Sequence, residues 1–141
     1  MTGVRGVVGT VESTNAIRLD SPYDKSPVTA TLGVYVSKAK THLVLRLSDG
    51  QIECGVSGCS VLVRFDDRPA LSFPAEMPEG FFPAAISIQN TLAFVDEITS
   101  AKKLRVSVPV YRGGDNIFRF DVDGFDAVRK RADEVNVRQS Q

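Results

Sequence analysis

Cys59-Ser60-Val61-Leu62-Val63-Arg64-Phe65-Asp66-Asp67 is the stretch whose reading decides the fold. Successive side chains of an extended chain point to opposite faces, so Val61, Val63 and Phe65 share one side and Leu62 and Arg64 the other. The segment reads as a strand with one buried face. Asp66-Asp67-Arg68-Pro69 follows as a turn, with residue types that bond their own backbone or preset its dihedrals. On the N-terminal side, Gly55-Val56-Ser57-Gly58 separates the chain's two cysteines, Cys54 and Cys59.

That spacing fits a hairpin mouth, where opposed cysteines sit at a separation suited to a disulfide. We read Cys54–Cys59 as a disulfide, which by the chain-entropy argument stabilises the fold by about 2 kcal/mol. The alternative is a pair of reduced cysteines in a cytosolic protein, one of them buried as a small hydrophobe. Two thiols and His42, the single histidine, fall short of the four groups of a structural zinc site, and no metal or other cofactor is expected. Cys-x4-Cys also lacks the two-residue gap of a redox motif.

The same period of two extends outward. Ile17 and Leu19 alternate with Arg18 and Asp20 before Pro22 and Pro27 break the pattern. Ala30, Leu32, Val34 and Val36 form one inward row, and Leu43, Leu45 and Leu47 another. Ser48-Asp49-Gly50-Gln51 reads as a tight turn leading into Gln51–Cys54, taken as the strand partner of residues 60–66. Leu71 and Phe73 resume the alternation until Pro74, Pro78 and Pro83, and Ile86 and Ile88 give one more strand. The period then changes. From Asn90 or Thr91 as N-cap, Phe94, Val95, Ile98 and Ala101 fall at helical spacing, and Lys102-Lys103 suit a helix C-terminus. Leu104, Val106 and Val108, then Phe118, Phe120 and Val122, return to strand spacing around Gly113-Gly114. A closing helix is expected from about Asp126, carrying Val128, Ala132 and Val135.

These elements predict a mainly β (α+β) protein: an antiparallel β-sandwich or curved sheet with one packed helix and a C-terminal helix. A chain of 141 residues closes one core comfortably, so we read a single β-rich domain over 1–137 and a polar tail over 138–141. Seventeen basic and seventeen acidic residues cancel. Without an excess of Lys and Arg there is no electrostatic footprint for nucleic acid, so no nucleic-acid partner is expected. No run of apolar residues reaches the roughly 20 needed to span a bilayer.

Several residues are candidates for chemistry or binding. His42 opens a strand with no neighbour to orient it, and reads as a solvent-facing strand histidine. Gly55-Val56-Ser57-Gly58-Cys59 has the wrong glycine spacing for a nucleophile elbow. Asp121, Asp123 and Asp126 lack the ligand spacing of a calcium loop. Phe81 and Phe82, between Gly80 and Pro83, are either an exposed anchor for a partner or a loop folded back over the core. Arg64 and Asp66 lie on one face at a strand end. They are either part of a recognition patch or part of a turn network in which Asp66 or Asp67 holds backbone amides.

Cys54, Cys59 to Asp67, Ser100 to Leu104, Tyr111-Arg112-Gly113-Gly114 and Phe118 to Phe125 together resemble a widespread group of small uncharacterised bacterial envelope proteins, often lipoproteins. That group is distantly similar to TagO/VasI-type accessory proteins of type VI secretion. Ser13-Thr14-Asn15 and Ser21-Pro22-Tyr23 fit the same pattern, so the likeness covers most of residues 11–125. It implies a periplasmic or cell-envelope location, with Met1 following a removed leader that could carry a lipid anchor, and a protein partner. The expected function is a non-enzymatic binding or accessory module of the cell envelope, associated with secretion. The alternatives are a hydrolase whose site the sequence does not reveal, and a cytosolic phage- or plasmid-encoded protein inhibitor.

Overall fold

The computed structural model describes residues 6–18, 27–37, 40–55, 57–77, 84–111 and 114–124. Eight strands and one helix follow in chain order. They are β1 (Gly6–Glu12), β2 (Ala30–Ser37), β3 (Lys40–Leu47), β4 (Cys59–Phe65), β5 (Leu71–Glu76), β6 (Ala85–Ile88), α1 (Thr91–Thr99), β7 (Lys103–Val110) and β8 (Gly114–Asp121). All pair antiparallel in a single sheet of order β1-β2-β3-β6-β5-β4-β7-β8. Of the two architectures expected from the sequence, the curved sheet is the one formed. Phe81, Phe82, the helix expected from Asp126 and the tail lie outside the described residues.

The period-two pattern explains the burial. Ala30, Leu32, Val34, Leu43, Leu45, Val61, Val63, Phe65, Leu104, Val106, Val108, Phe118 and Phe120 are buried in one cluster. Helix α1 joins β6 to β7 and adds Phe94, Val95 and Ile98 to that cluster while leaving Leu92 exposed. The rings of Phe65, Phe73 and Phe94 meet edge to face with centroids 5.1 to 6.3 Å apart, a favoured arrangement for aromatic quadrupoles. The helix thereby ties the β4–β5 hairpin to the core.

The sheet bends far enough for its two edges to touch. Ser13 is buried, its hydroxyl donates to the Asn15 carbonyl at 2.8 Å, and its oxygen accepts the Ala30 amide at 3.0 Å. The chain beyond β1 is thus turned onto β8. There the Thr14 amide donates to the Arg119 carbonyl at 2.7 Å. The Asn15 side chain accepts the Arg119 amide at 2.7 Å and donates to the Ile117 carbonyl at 3.0 Å. One carboxamide therefore satisfies a donor and an acceptor of an edge strand, which would otherwise be open to pairing.

Several local readings change. Strand β1 was not expected, because a register shift between Val7 and Gly9 interrupts its alternation. Ile17 makes an isolated bridge to Val28 and not a strand. Residues 51–54 do not pair with β4, whose two sides are taken by β5 and β7. Instead Ile52 bridges Val110, and the Tyr111 amide donates to the Gln51 carbonyl. Strand β5 runs through Pro74, whose carbonyl accepts the Gln89 amide. Asn90 does occupy the N-cap, but in the left-handed region (φ 57°) and without a side-chain cap bond. Its presence there reflects the tolerance of Asn for that conformation. The helix ends at Thr99, so Lys103 belongs to β7 and not to the helix terminus.

Replacing Asn15 by Ala removes both side-chain bonds to β8. The expected result is a loss of about 1–2 kcal/mol of unfolding free energy in urea, from net contributions of about 0.5–1.5 kcal/mol per hydrogen bond. It should be accompanied by faster hydrogen exchange at the Arg119 amide. Unchanged exchange there would show that the edge contact carries no stability.

Candidate functional site

Cys54 and Cys59 form a disulfide, with Cα atoms 5.0 Å apart. It strides a tight turn in which Gly55 and Gly58 bridge each other. Gly58 has φ 98°, and a Cβ there would sit 3.0 Å from the Ala75 carbonyl, so both backbone conformation and space favour glycine. The crosslink therefore fastens the 51–55 segment, which pairs beside β7, to the first residue of β4.

Asp66 follows β4 in the left-handed region, φ 53°, which Asp tolerates better than most residues. One carboxylate oxygen accepts the amides of Lys102 and Lys103, each at 2.9 Å. Those two bonds, that to Lys103 first, hold its carboxyl below the ordinary value, with a smaller contribution from Arg68. Asp66 thus organises the turn where α1 hands over to β7. Arg68 completes the corner: its guanidinium pairs with Glu97 of α1 and lies over the Phe65 ring at 5.6 Å.

Arg64 stands one row away on the same outer face. Register places it opposite Arg105 of β7, and Arg105 opposite Arg119 of β8. Neighbouring strands are about 4.8 Å apart, so three exposed arginines stand side by side across the outer face. Like charges directly opposite one another destabilise a sheet. The carboxylates nearest in register do not relieve this. In the next row Asp66 is held by backbone amides, and Asp121 pairs with Lys103 at 3.4 Å. Among the described residues, none of the three guanidiniums has an ion pair or a hydrogen bond.

On the other side of the arginines lies a row of Leu62, Ser107 and Ile117. Leu62 is 53% exposed and Ile117 48%, large values for aliphatic side chains in the middle of strands. Together with Arg64, Arg105 and Ala70 they line an open depression of about 270 Å³. The surface therefore combines an unopposed cationic row with a partly apolar hollow, a combination suited to binding. Arg105, Arg119, Leu62 and Ile117 were not singled out from sequence. Alternation alone assigns them to outward positions, but which residues become neighbours depends on register across strands far apart in the chain.

The remaining sequence candidates are dispersed. His42 faces outward on β3 opposite Tyr35, on a different part of the sheet. Asp123 is exposed in the turn after β8. Among the described residues no three His, Cys, Asp or Glu side chains come together in a way that could hold a metal ion. No helix among them is long and apolar enough to cross a membrane. Comparison with models of protein families, with curated proteins and with solved structures finds no match for the chain.

The Asp66 contacts set a pH dependence. A carboxyl depressed in the folded state adds stability above its unfolded value, near 3.9, and loses that contribution as pH falls through the folded value. In Asp66→Asn the protein should therefore be less stable than the parent at neutral pH. That difference should shrink as pH drops below about 4. Thermal unfolding of both proteins from pH 7 to pH 2 measures it, and parallel curves throughout would contradict the assignment.

Proposed function

We propose that the protein is a non-enzymatic binding module of the bacterial cell envelope, an accessory protein that engages a protein partner through the outer face of β4, β7 and β8. The observation that carries this reading is the row Arg64, Arg105, Arg119. Three like charges at adjacent sheet positions, with no ion pair or hydrogen bond to their guanidiniums among the described residues, work against folding, so the arrangement points to a counter-charge brought by another molecule. The half-exposed Leu62 and Ile117 beside it supply apolar contact area of the sort that interfaces bury.

A rigid platform fits the role. The disulfide fastens the start of β4, Asp66 the end of β4, and Asn15 the backbone of Arg119 and Ile117. All three strands that carry the surface are thereby held without help from a ligand, which lowers the ordering cost of association. A disulfide suits an oxidising compartment such as the periplasm, and the resemblance to secretion accessory proteins supports a secretion-associated role there.

Site-specific photo-crosslinking in the producing bacterium tests this. A photoreactive residue at Ser107 should yield a discrete adduct in the envelope fraction, whereas one at Thr31, on the outer face of β2, should not. Arg105→Glu should abolish the adduct. Equal crosslinking from both positions, or an adduct indifferent to Arg105→Glu, would remove the basis for the proposal.

A further inference from the structure

We infer that the occupant of this face is an extended, carboxylate-rich segment of a protein partner, laid across β4, β7 and β8 with an apolar side chain seated between Leu62 and Ile117. The inference rests on the binding role proposed above and specifies the chemistry of the partner. The chain as a whole is neutral, so Arg64, Arg105 and Arg119 are a local concentration of cations and not part of a generally basic surface. Guanidinium groups match carboxylates in geometry, each offering a planar fork of donors for two parallel hydrogen bonds.

Arginines on three adjacent strands span about 10 Å, and same-side residues of an extended peptide repeat every ~6.8 Å. Two or three acidic side chains from one side of such a peptide therefore cover the row. A hollow lies beside the row. Leu62, Ser107 and Ile117 run parallel to the arginines one step along the strands, so a peptide lying over the boundary presents carboxylates to one row and an apolar side chain to the other. The depression of about 270 Å³ provides the place for it.

Other anions fit less well. Single-stranded nucleic acid is gripped by aromatic platforms as well as cations, and among the described residues no aromatic side chain lines the hollow. An anionic membrane calls for protruding apolar residues that enter the headgroup layer, whereas Leu62 and Ile117 border a depression. The match to carboxylates flanking an aliphatic residue uses every feature of the surface.

The test is a titration of the full chain, isotopically labelled and oxidised, with a short capped peptide of alternating glutamate and threonine carrying one central leucine. Saturable shifts of the Leu62, Arg105, Ser107 and Ile117 amides are expected. Affinity should fall at least tenfold when every glutamate of the peptide is glutamine, and likewise in Arg105→Glu and in Arg119→Glu. Each variant is first checked for an unchanged dispersed spectrum, and the two guard against a fault particular to one of them. A glutamine peptide that binds equally well, or the absence of saturable shifts, overturns the inference. So does tighter binding at the same amides by inorganic polyphosphate or by phosphatidylglycerol vesicles. If the peptide fails while crosslinking from position 107 still depends on Arg105, the face binds a partner of different chemistry and only the present inference falls. Failure of both removes the binding role as well.

Discussion

A single sheet has one inner face, and among the described residues that face buries itself against itself and against helix α1. The buried inward residues of β2, β3, β4, β7 and β8 belong to one cluster, to which α1 adds Phe94, Val95 and Ile98. The antiparallel order makes this workable, since β6 and β5 fill the space between β3 and β4 and carry the sheet round without a break. At the seam Asn15 closes onto β8, so the curvature that creates the core also brings the first and last described strands together.

The outer face inherits the consequences. The outward residues on β4, β7 and β8 are sorted into rows by register. Asp66, Lys103 and Asp121 form a mixed row whose carboxylates are engaged, Arg64, Arg105 and Arg119 a cationic row, and Leu62, Ser107 and Ile117 a row with exposed aliphatic side chains. The devices that stiffen the molecule converge here. The crosslink at Cys59, the two amide bonds to Asp66 and the Asn15 clasp each fix one boundary of the same three strands. In the binding role proposed, rigidity and recognition are parts of one arrangement, in which the sheet accepts repulsion between its own arginines to hold them ready for a counter-charge.

The sequence disclosed what depends on local period and little of what depends on register. Val61, Val63 and Phe65 were legible as core because alternation is a property of neighbouring residues, and Cys54–Cys59 because its loop is short. Strand β1 was hidden by the irregularity at Val7–Gly9, and the pairing of residues 51–54 was misjudged because sequence proximity to β4 outweighed the unseen presence of β5 and β7 on both its sides. Arg64 was visible as an outward charge at a strand end. Arg105 and Arg119, 41 and 55 positions further on, became its companions only through the ladders that link β4 to β7 and β7 to β8. Asp66 shows the converse: its turn chemistry was legible, while the amides it holds lie across the sheet at Lys102 and Lys103.

The claim that the arginine row is maintained against the interest of the fold can be measured without knowing the partner. In a double-mutant cycle with Arg64→Thr and Arg105→Thr, mutual repulsion is counted in each single substitution but only once in the double. The unfolding free energy gained by the double variant at low salt should therefore fall short of the sum of the two single gains, by roughly 0.2–1 kcal/mol. The shortfall should close as added salt screens the charges. Strict additivity at low ionic strength, or a double variant that gains more than the sum, would contradict the account.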